Sequence, residues 1–365
     1  MPKNKPLIVH IFFSGLGGHG SVAFSLIEAD LSTEFKYVII FYGIEPITQS
    51  YLSKCKNLGI EYHFIHKKRG LDLQAMINVY RELKRLNPHT ILLHSTNLIL
   101  CTWVYSWHKK VNCIAIEHKS NATKTFLERR WSSLCMLLAN KIVVLTNSYL
   151  QELKKITGIF FRHTKISIIP NGIDTNLFEP KEKNTESVPI RLGMLARMAS
   201  PKDQQTLLEA AKILKMNGKE IMVLLAGDGE TMGRLEEWVK ENQLNEYVRF
   251  LGQLTESESV TFLQSITFYV HSSLSETMST SILQAMSCGL PVIASDIPGI
   301  NNFIEQGKTG LLFRSQNPRD LSDKINYLLD NKNLAKALVQ EGRKLVEENY
   351  SSLQMFNQYR KLILN

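Results

Sequence analysis

The chain is poor in the features that mark secreted, membrane-spanning and disordered proteins. Its five cysteines (55, 101, 113, 135 and 288) are odd in number, irregularly spaced and contain no C-x-x-C. That excludes a disulfide framework and a zinc site, and it suits a reducing cytoplasm. No apolar run approaches the roughly 20 residues of a membrane-crossing helix. Pro2–Phe13 places Lys3 and Lys5 before LIVHIFF, but the apolar part is short and Gly15–Gly20 stands where a cleavage site belongs. It reads as a first strand, not a signal peptide. Tracts rich in Pro, Ser or Gly are missing, and 44% of the residues are hydrophobic, so disorder is excluded. A length of 365 residues suffices for two separate cores.

Charge is unevenly placed. Residues 1–185 hold 24 Lys and Arg against 13 Asp and Glu, a net +11, whereas residues 186–365 hold 19 against 21, a net −2. The basic half predicts an anionic partner such as a phospholipid surface or a lipid diphosphate. Lys67-Lys68-Arg69, Trp107-His108-Lys109-Lys110 and Arg129-Arg130-Trp131 are the clusters that would meet it, each also readable as a solvated helix face. No nucleic-acid motif accompanies the charge, so nucleic acid is not an expected partner.

Apolar runs alternate with helix-length segments from end to end. In the first half they are Leu7–Phe13, Tyr37–Tyr42, Tyr62–Ile65, Thr90–His94, Cys113–Glu117, Lys141–Leu145 and Lys165–Ile169. In the second they are Ile190–Leu195, Ile221–Ala226, Val248–Leu251, Phe268–His271, Val292–Ser295 and Gly310–Phe313. Strand–helix alternation predicts α/β architecture with two doubly wound, Rossmann-like parallel sheets. Glu179–Pro189 is polar and serves as the linker candidate.

Several loops carry chemistry. Phe268–His271 leads into a Ser/Thr-rich loop whose one charge is Glu276. Ser279 is a candidate N-cap for a helical run Thr280–Cys288, ended by Gly289 and Pro291. The first-turn N–H groups of Thr280, Ser281 and Ile282 suit a phosphate. A loop at the carboxyl edge of a parallel sheet is where ligands bind. After Gly193 in the first strand of the second half, Arg197 and Lys202 leave one strand end five residues apart, a convergent anion clamp. Ala226-Gly227-Asp228-Gly229-Glu230 offers no convincing Asp-x-Asp metal motif. Gly15, Gly17, Gly18 and Gly20 fit G-x-G-x-x-G, but the second strand ends in Phe41-Tyr42-Gly43 without the acidic residue that would hold a dinucleotide ribose. His118 ends a strand, where a structural role is the ordinary reading.

The stretch Glu276…Ala285-Met286…Gly289…Pro291-Val292 resembles the donor-site signature of family-4 retaining glycosyltransferases, two-domain enzymes that move sugars from nucleotide-sugars. The family's second glutamate, eight residues after the first, is here Gln284, and its aromatic–glycine pair is here Thr277-Met278. Asn171-Gly172-Ile-Asp174 is similar to the family's interdomain junction. The resemblance implies the glycosyltransferase B fold: an acceptor domain over 1–175, a donor domain over 176–350, the two facing across a cleft, and a last helix over 351–365 crossing back to the first. It implies no cofactor and no metal; the nucleotide-sugar, by preference a UDP-sugar, is a co-substrate. Arg197 and Lys202 would grip its diphosphate, Glu276 its sugar hydroxyls and Gln284 its ribose. Gly193, Gly227, Asp228, Ser279 and Thr280 would line the nucleotide site. Gly17 and Gly18 would approach the donor diphosphate or acceptor, and His118 would lie against the sugar. No side chain stands out as a nucleophile, and diphosphate departure would be assisted electrostatically. The expected reaction transfers a hexose or N-acetylhexosamine to a glycan or lipid-linked acceptor for cell-surface polysaccharide, in the cytoplasm or on the inner membrane face. Alternatives are a nucleotide-sugar epimerase on the same fold and a non-catalytic nucleotide-sugar-binding subunit.

Overall fold

The computed structural model describes residues 5–15, 17–181 and 189–364. Its contacts divide the chain into two units, Met1–Gly172 with Ser352–Asn365, and Ile173–Ser351. The division falls a few residues before the 175/176 boundary read from the sequence. Most of the linker candidate Glu179–Pro189 lies outside the described residues.

The first unit builds a seven-stranded sheet from β1 (Leu7–Phe13), β2 (Lys36–Gly43), β3 (Glu61–His66), β4 (Thr90–Leu93), β5 (Asn112–Ile116), β6 (Lys141–Val144) and β7 (Ile166–Ile168). Their order is β3-β2-β1-β4-β5-β6-β7, and every pairing is parallel. The first six strands are each followed by a helix: α1 (Gly18–Glu28), α2 (Gln49–Leu58), α3 (Leu73–Leu86), α4 (Ile99–Lys109), α5 (Phe126–Leu138) and α6 (Asn147–Thr157). Both faces of such a sheet are covered, so its strands read as continuous apolar runs. Val9, Ile11, Ile91, Leu93, Cys113 and Ala115 point into a core shared with α3 to α6. Ile8, Leu92, Ile114 and Ile116 point the other way, toward α1 and a final helix, Ser352–Leu364. That helix buries Met355, Phe356, Tyr359 and Ile363 at helical spacing; the sequence pattern sets Leu362 in this stripe, and it is only partly covered.

The second unit repeats the plan with six parallel strands: β8 (Ile190–Leu195), β9 (Ile221–Ala226), β10 (Val248–Gly252), β11 (Phe268–His271), β12 (Val292–Ser295) and β13 (Leu311–Phe313). Their order is β10-β9-β8-β11-β12-β13. The helices are α7 (Gln204–Met216), α8 (Met232–Glu241), α9 (Glu256–Ser265), α10 (Thr280–Ser287), α11 (Pro318–Asp330) and α12 (Lys332–Asn349), which makes the final helix α13. In both units the order reverses beside the first strand, between β1 and β4 and between β8 and β11. The switch point of an open α/β sheet lies there, with its crevice at the carboxyl strand ends. Among the described residues no helix is long and apolar enough to cross a membrane.

Candidate active site

The donor-side residues come from three loops of the second unit that lock onto one another. The β8–α7 and β9–α8 loops are joined by backbone bonds from the N–H of Met198 to Asp228 O (2.9 Å) and of Thr231 to Met198 O (3.1 Å). Gly227 and Gly229 make this possible. Both have positive φ, and a Cβ on either would come within 2.2 Å of the carbonyl oxygen of Ala196 or Met198. Asp228 accepts from the N–H of Gly229 (2.7 Å) and lies exposed. Arg197 also projects into solvent, its guanidinium 3.6 Å from Glu230. Such an exposed pair contributes little stability and leaves the cation exchangeable for another anion.

The β8–α7 and β11–α10 loops are tied through Pro201. Its carbonyl accepts from the N–H of Leu274 (2.9 Å) and from Ser273 Oγ (2.7 Å). This attachment carries the neighbouring Lys202 to Glu276, and Lys202 Nζ bonds Glu276 Oε1 directly. His271 Nε2 lies 2.7 Å from the same oxygen. His271 is wholly buried at the end of β11, with its Nδ1 3.2 Å from the hydroxyl of Tyr269, which also donates to Ser281 Oγ at 2.8 Å. Burial alone would raise the Glu276 carboxyl above its ordinary range. The Lys202 ammonium and the bonded His271 outweigh burial and hold it at about 2. Glu276 is therefore a fixed, ionised acceptor. Gly299, φ +89°, presses against the backbone behind it, where a Cβ would stand 2.2 Å from Glu276 O.

Helix α10 begins beside this carboxylate. Ser279 occupies its N-cap position with extended backbone, but its side chain makes no cap bond and its Oγ sits 3.1 Å from Ser281 Oγ. The expected serine cap is thus a cap in position only. Thr280 starts the helix, which ends at Ser287, one residue short of the predicted end, with Gly289 at φ +70° beyond it. Gln284 is half-buried, one turn into α10. Gly193, read from the sequence as a nucleotide-site residue, lies inside β8. A Cβ there would meet Ile266 at 2.5 Å and Phe262 at 2.9 Å, so its need is for close packing against α9.

The first unit places its candidates at the carboxyl ends of β1 and β5. Gly17 is the N-cap of α1, but its N–H is taken by the Tyr51 hydroxyl (3.1 Å), which returns a bond to Gly17 O (3.0 Å). Gly18 faces open space where a side chain would stand. Leu16 lies outside the described residues. His118 follows β5 and meets His94, ring nitrogens 2.9 Å apart. The loop that carries it is pinned by a buried network. Lys124 Nζ donates to Glu117 (2.6 Å), Ser132 (2.7 Å) and Tyr149 (2.7 Å), and the Tyr149 hydroxyl lies 3.0 Å from Lys119 O. Removing one member of such a buried ion pair leaves an uncompensated charge.

Two family models together span nearly the whole chain: "Glycosyltransferase Family 4" over residues 16–177 and "Glycosyl transferases group 1" over residues 176–345. The chain belongs to the group 1, family-4-like glycosyltransferases. An uncharacterized glycosyltransferase of Methanocaldococcus jannaschii is 26% identical over 70% of this chain and 68% of that protein. The alpha-monoglucosyldiacylglycerol synthase of Streptococcus pneumoniae is 30% identical over 40% of this chain, and the match spans little more than a third of that protein (36%). The crystal structure of HepE from Anabaena in complex with UDP-glucose superposes with a TM-score of 0.86 at 15% identity, covering 98% of this chain and 99% of that one. The two parallel-sheet Rossmann-like units are those of the glycosyltransferase B fold.

In this glycosyltransferase the structure brings Lys202 to Glu276 and Arg197 to Glu230, so both candidate clamp cations rest on carboxylates. Sequence reading did not find His271 and Tyr269, which hold Glu276 and the start of α10. The signal was present in the alternation of β11, which turns both side chains to the face occupied by α10. Among the described residues no three His, Cys, Asp or Glu side chains gather as a metal-binding group.

Proposed function

We propose that this glycosyltransferase moves a hexose or N-acetylhexosamine from a UDP-sugar to a glycan or lipid-linked acceptor, with retention of anomeric configuration. The carrying observation is the ionised Glu276, held by Lys202 and His271 at the uncapped start of α10. A diphosphate arriving there offers Lys202 a second anionic partner and accepts from the first N–H groups of α10. Glu276 then accepts from sugar hydroxyls. The bond from the anomeric carbon to the diphosphate oxygen breaks as the acceptor oxygen bonds that carbon from the same face, and the acceptor's proton passes to the departing diphosphate. Arg197, Lys202 and the helix start stabilise the charge that develops on the leaving group. This scheme uses side-chain cations and the helix dipole and needs no metal. The UDP preference is supported by the UDP-glucose in the Anabaena structure.

A lipid-linked acceptor at an anionic membrane surface is supported by α4. Leu100, Trp103, Val104 and Trp107 form its outward stripe, Trp107 is 71% exposed, and the two indoles lie 6.3 Å apart. A helix apolar on both faces suits a membrane interface better than water. Lys109 and Lys110 end the helix, and on the adjoining α5 Phe126 is exposed beneath the guanidinium of Arg130 (4.9 Å). We place the work of the enzyme in cell-surface polysaccharide synthesis on the inner membrane face.

The test is a panel of nucleotide-sugars, each incubated with the purified chain alone and with lipid-linked and soluble glycan acceptors, followed by NMR of the products. Transfer from a UDP-sugar with an α-linked product from an α-linked donor is expected. A changed sugar formed without acceptor would replace this reading with epimerisation. Binding without turnover on every acceptor would favour a partner subunit.

A further inference from the structure

Three histidines from three neighbouring strands stand in line inside the first unit, and the last of them, His118, is the one that the family resemblance sets against the sugar. β1, β4 and β5 are adjacent in the sheet. Side chains alternate along a strand, and the even positions Ile8, Leu92, Ile114 and Ile116 share one face. His10, His94 and His118 have the same parity. Register sets His10 opposite Leu92 and Leu92 opposite Ile114. Each successive histidine therefore stands two residues further toward the carboxyl edge, on a diagonal that ends at His118.

The rings meet through their nitrogens. His10 Nδ1 is 3.1 Å from His94 Nε2, and His94 Nδ1 is 2.9 Å from His118 Nε2. Neighbouring ring planes are within 18° of parallel. At the closed end His10 is wholly buried, and its Nε2 has no hydrogen-bond partner among the described residues. A buried N–H without an acceptor is rarer in proteins than an acceptor without a donor, so the proton of His10 belongs on Nδ1. It donates to His94 Nε2. His94 then carries its own proton on Nδ1 and donates it to His118 Nε2.

We infer that His10 and His94 are positioning residues that fix His118 as a neutral imidazole with its proton on Nδ1. The chain of bonds sets the tautomer, as the partner of one ring nitrogen generally does for the other. Burial favours the neutral form throughout, holding His10 and His118 near 3 and His94 well below the ordinary imidazole range. The titratable groups around the line are the half-buried His19, its ring 6.4 Å from that of His118, and Tyr37, its ring 5.9 Å from that of His10 and its hydroxyl bonded to Asp30. A neutral N–H donor binds a sugar oxygen without setting a positive charge beside an oxocarbenium-like carbon, which an imidazolium would repel. That consequence rests on the proposed sugar transfer; the tautomer does not.

The test uses the full chain labelled with ring-¹⁵N histidine, its two-bond ¹H–¹⁵N spectrum at neutral pH assigned with a His10→Gln variant and a His118→Asn variant. All three rings are expected neutral with the proton on Nδ1. A proton on Nε2 of His118, or an imidazolium there, overturns the inference whether or not a donor has been found. Kinetics give a second arm. His94→Phe keeps a flat ring without nitrogens and is expected to lower kcat by about three- to tenfold, the loss of one neutral hydrogen bond, with donor KM unchanged. His94→Gln, which can accept from His10 and donate to His118, is expected to recover most of that loss. Equal kcat in His94→Phe and the parent, or no recovery in a folded His94→Gln, overturns the positioning role.

Discussion

Replacing Lys202 by methionine keeps the length of the side chain and removes the charge that Glu276 depends on. The Glu276 carboxyl is held at about 2 against an ordinary 4.5, with burial opposing that shift and Lys202 the largest influence favouring it. At about 1.4 kcal/mol per pH unit, the gap corresponds to about 3 kcal/mol of native stability. Lys202 is 24% exposed and the Glu276 side chain 9%, so water and His271 recover part of the loss, and about 1–3 kcal/mol is expected at pH 7. A carboxyl lowered in the native state stabilises fully above its unfolded value. Its contribution falls as the pH drops from about 5 toward 2. The stability difference between parent and Lys202→Met should therefore be largest near neutrality and shrink across that range. Adding Glu276→Gln should restore at least half of it, because the unpaired charge is gone. Hydrogen exchange under urea, read at peptides from β8, β11 and α10, measures the opening free energy where the pair sits. A flat difference from pH 7 to 3, or a double variant no more stable than Lys202→Met, would refute the reasoning.

Other outcomes follow from the same site. EDTA should leave transfer largely intact; complete inactivation reversed by Mn²⁺ or Mg²⁺ would contradict a clamp of side chains and helix dipole. Gln284→Glu should keep activity and lower the donor KM, since a charged acceptor binds a ribose hydroxyl by about 1.5–3 kcal/mol against 0.5–1.5 for a neutral one; Glu276→Gln should mainly lower kcat, and an inactive but folded Gln284→Glu would remove position 284 from the donor site. The chain should sediment with anionic vesicles but not neutral ones, less as salt rises, and Trp107→Glu should weaken this several-fold. Equal sedimentation with both vesicle types would end the electrostatic argument.

The strand plan was legible because strands covered on both faces read as unbroken apolar runs. Leu7–Phe13, Ile190–Leu195, Ile221–Ala226, Phe268–His271 and Val292–Ser295 have the same ends in sequence and structure, and the other runs shift by one residue at one or both ends. Gly227 stood in the expected loop, although its physical requirement, a φ of +133° against Ala196 O, appears only once β8 and β9 pair. Gly193 carries a packing requirement against Ile266 and Phe262 that its place in the sequence does not state, because a glycine needed for helix packing and one needed beside a ligand look alike there. Ser279 was placed correctly as an N-cap, but side-chain geometry decided that its hydroxyl turns to Ser281. The histidine line was illegible. Residues 10, 94 and 118 become neighbours only because β4 and β5 follow β1 in the sheet, an order that no local pattern states. For His271 the alternation of β11 carried a signal for its face but not for its partner, since Glu276 arrives through a loop whose course is set by Pro201.

Calorimetric titration of UDP and UDP-sugars into the parent chain and into Arg197→Ala and Lys202→Ala tests the central claim most directly. At least one UDP-sugar is expected to bind the parent, and each single removal is expected to weaken binding sharply while circular dichroism stays native. Near-parental affinity in a folded Lys202→Ala, or binding of no nucleotide-sugar by the parent, would contradict the account.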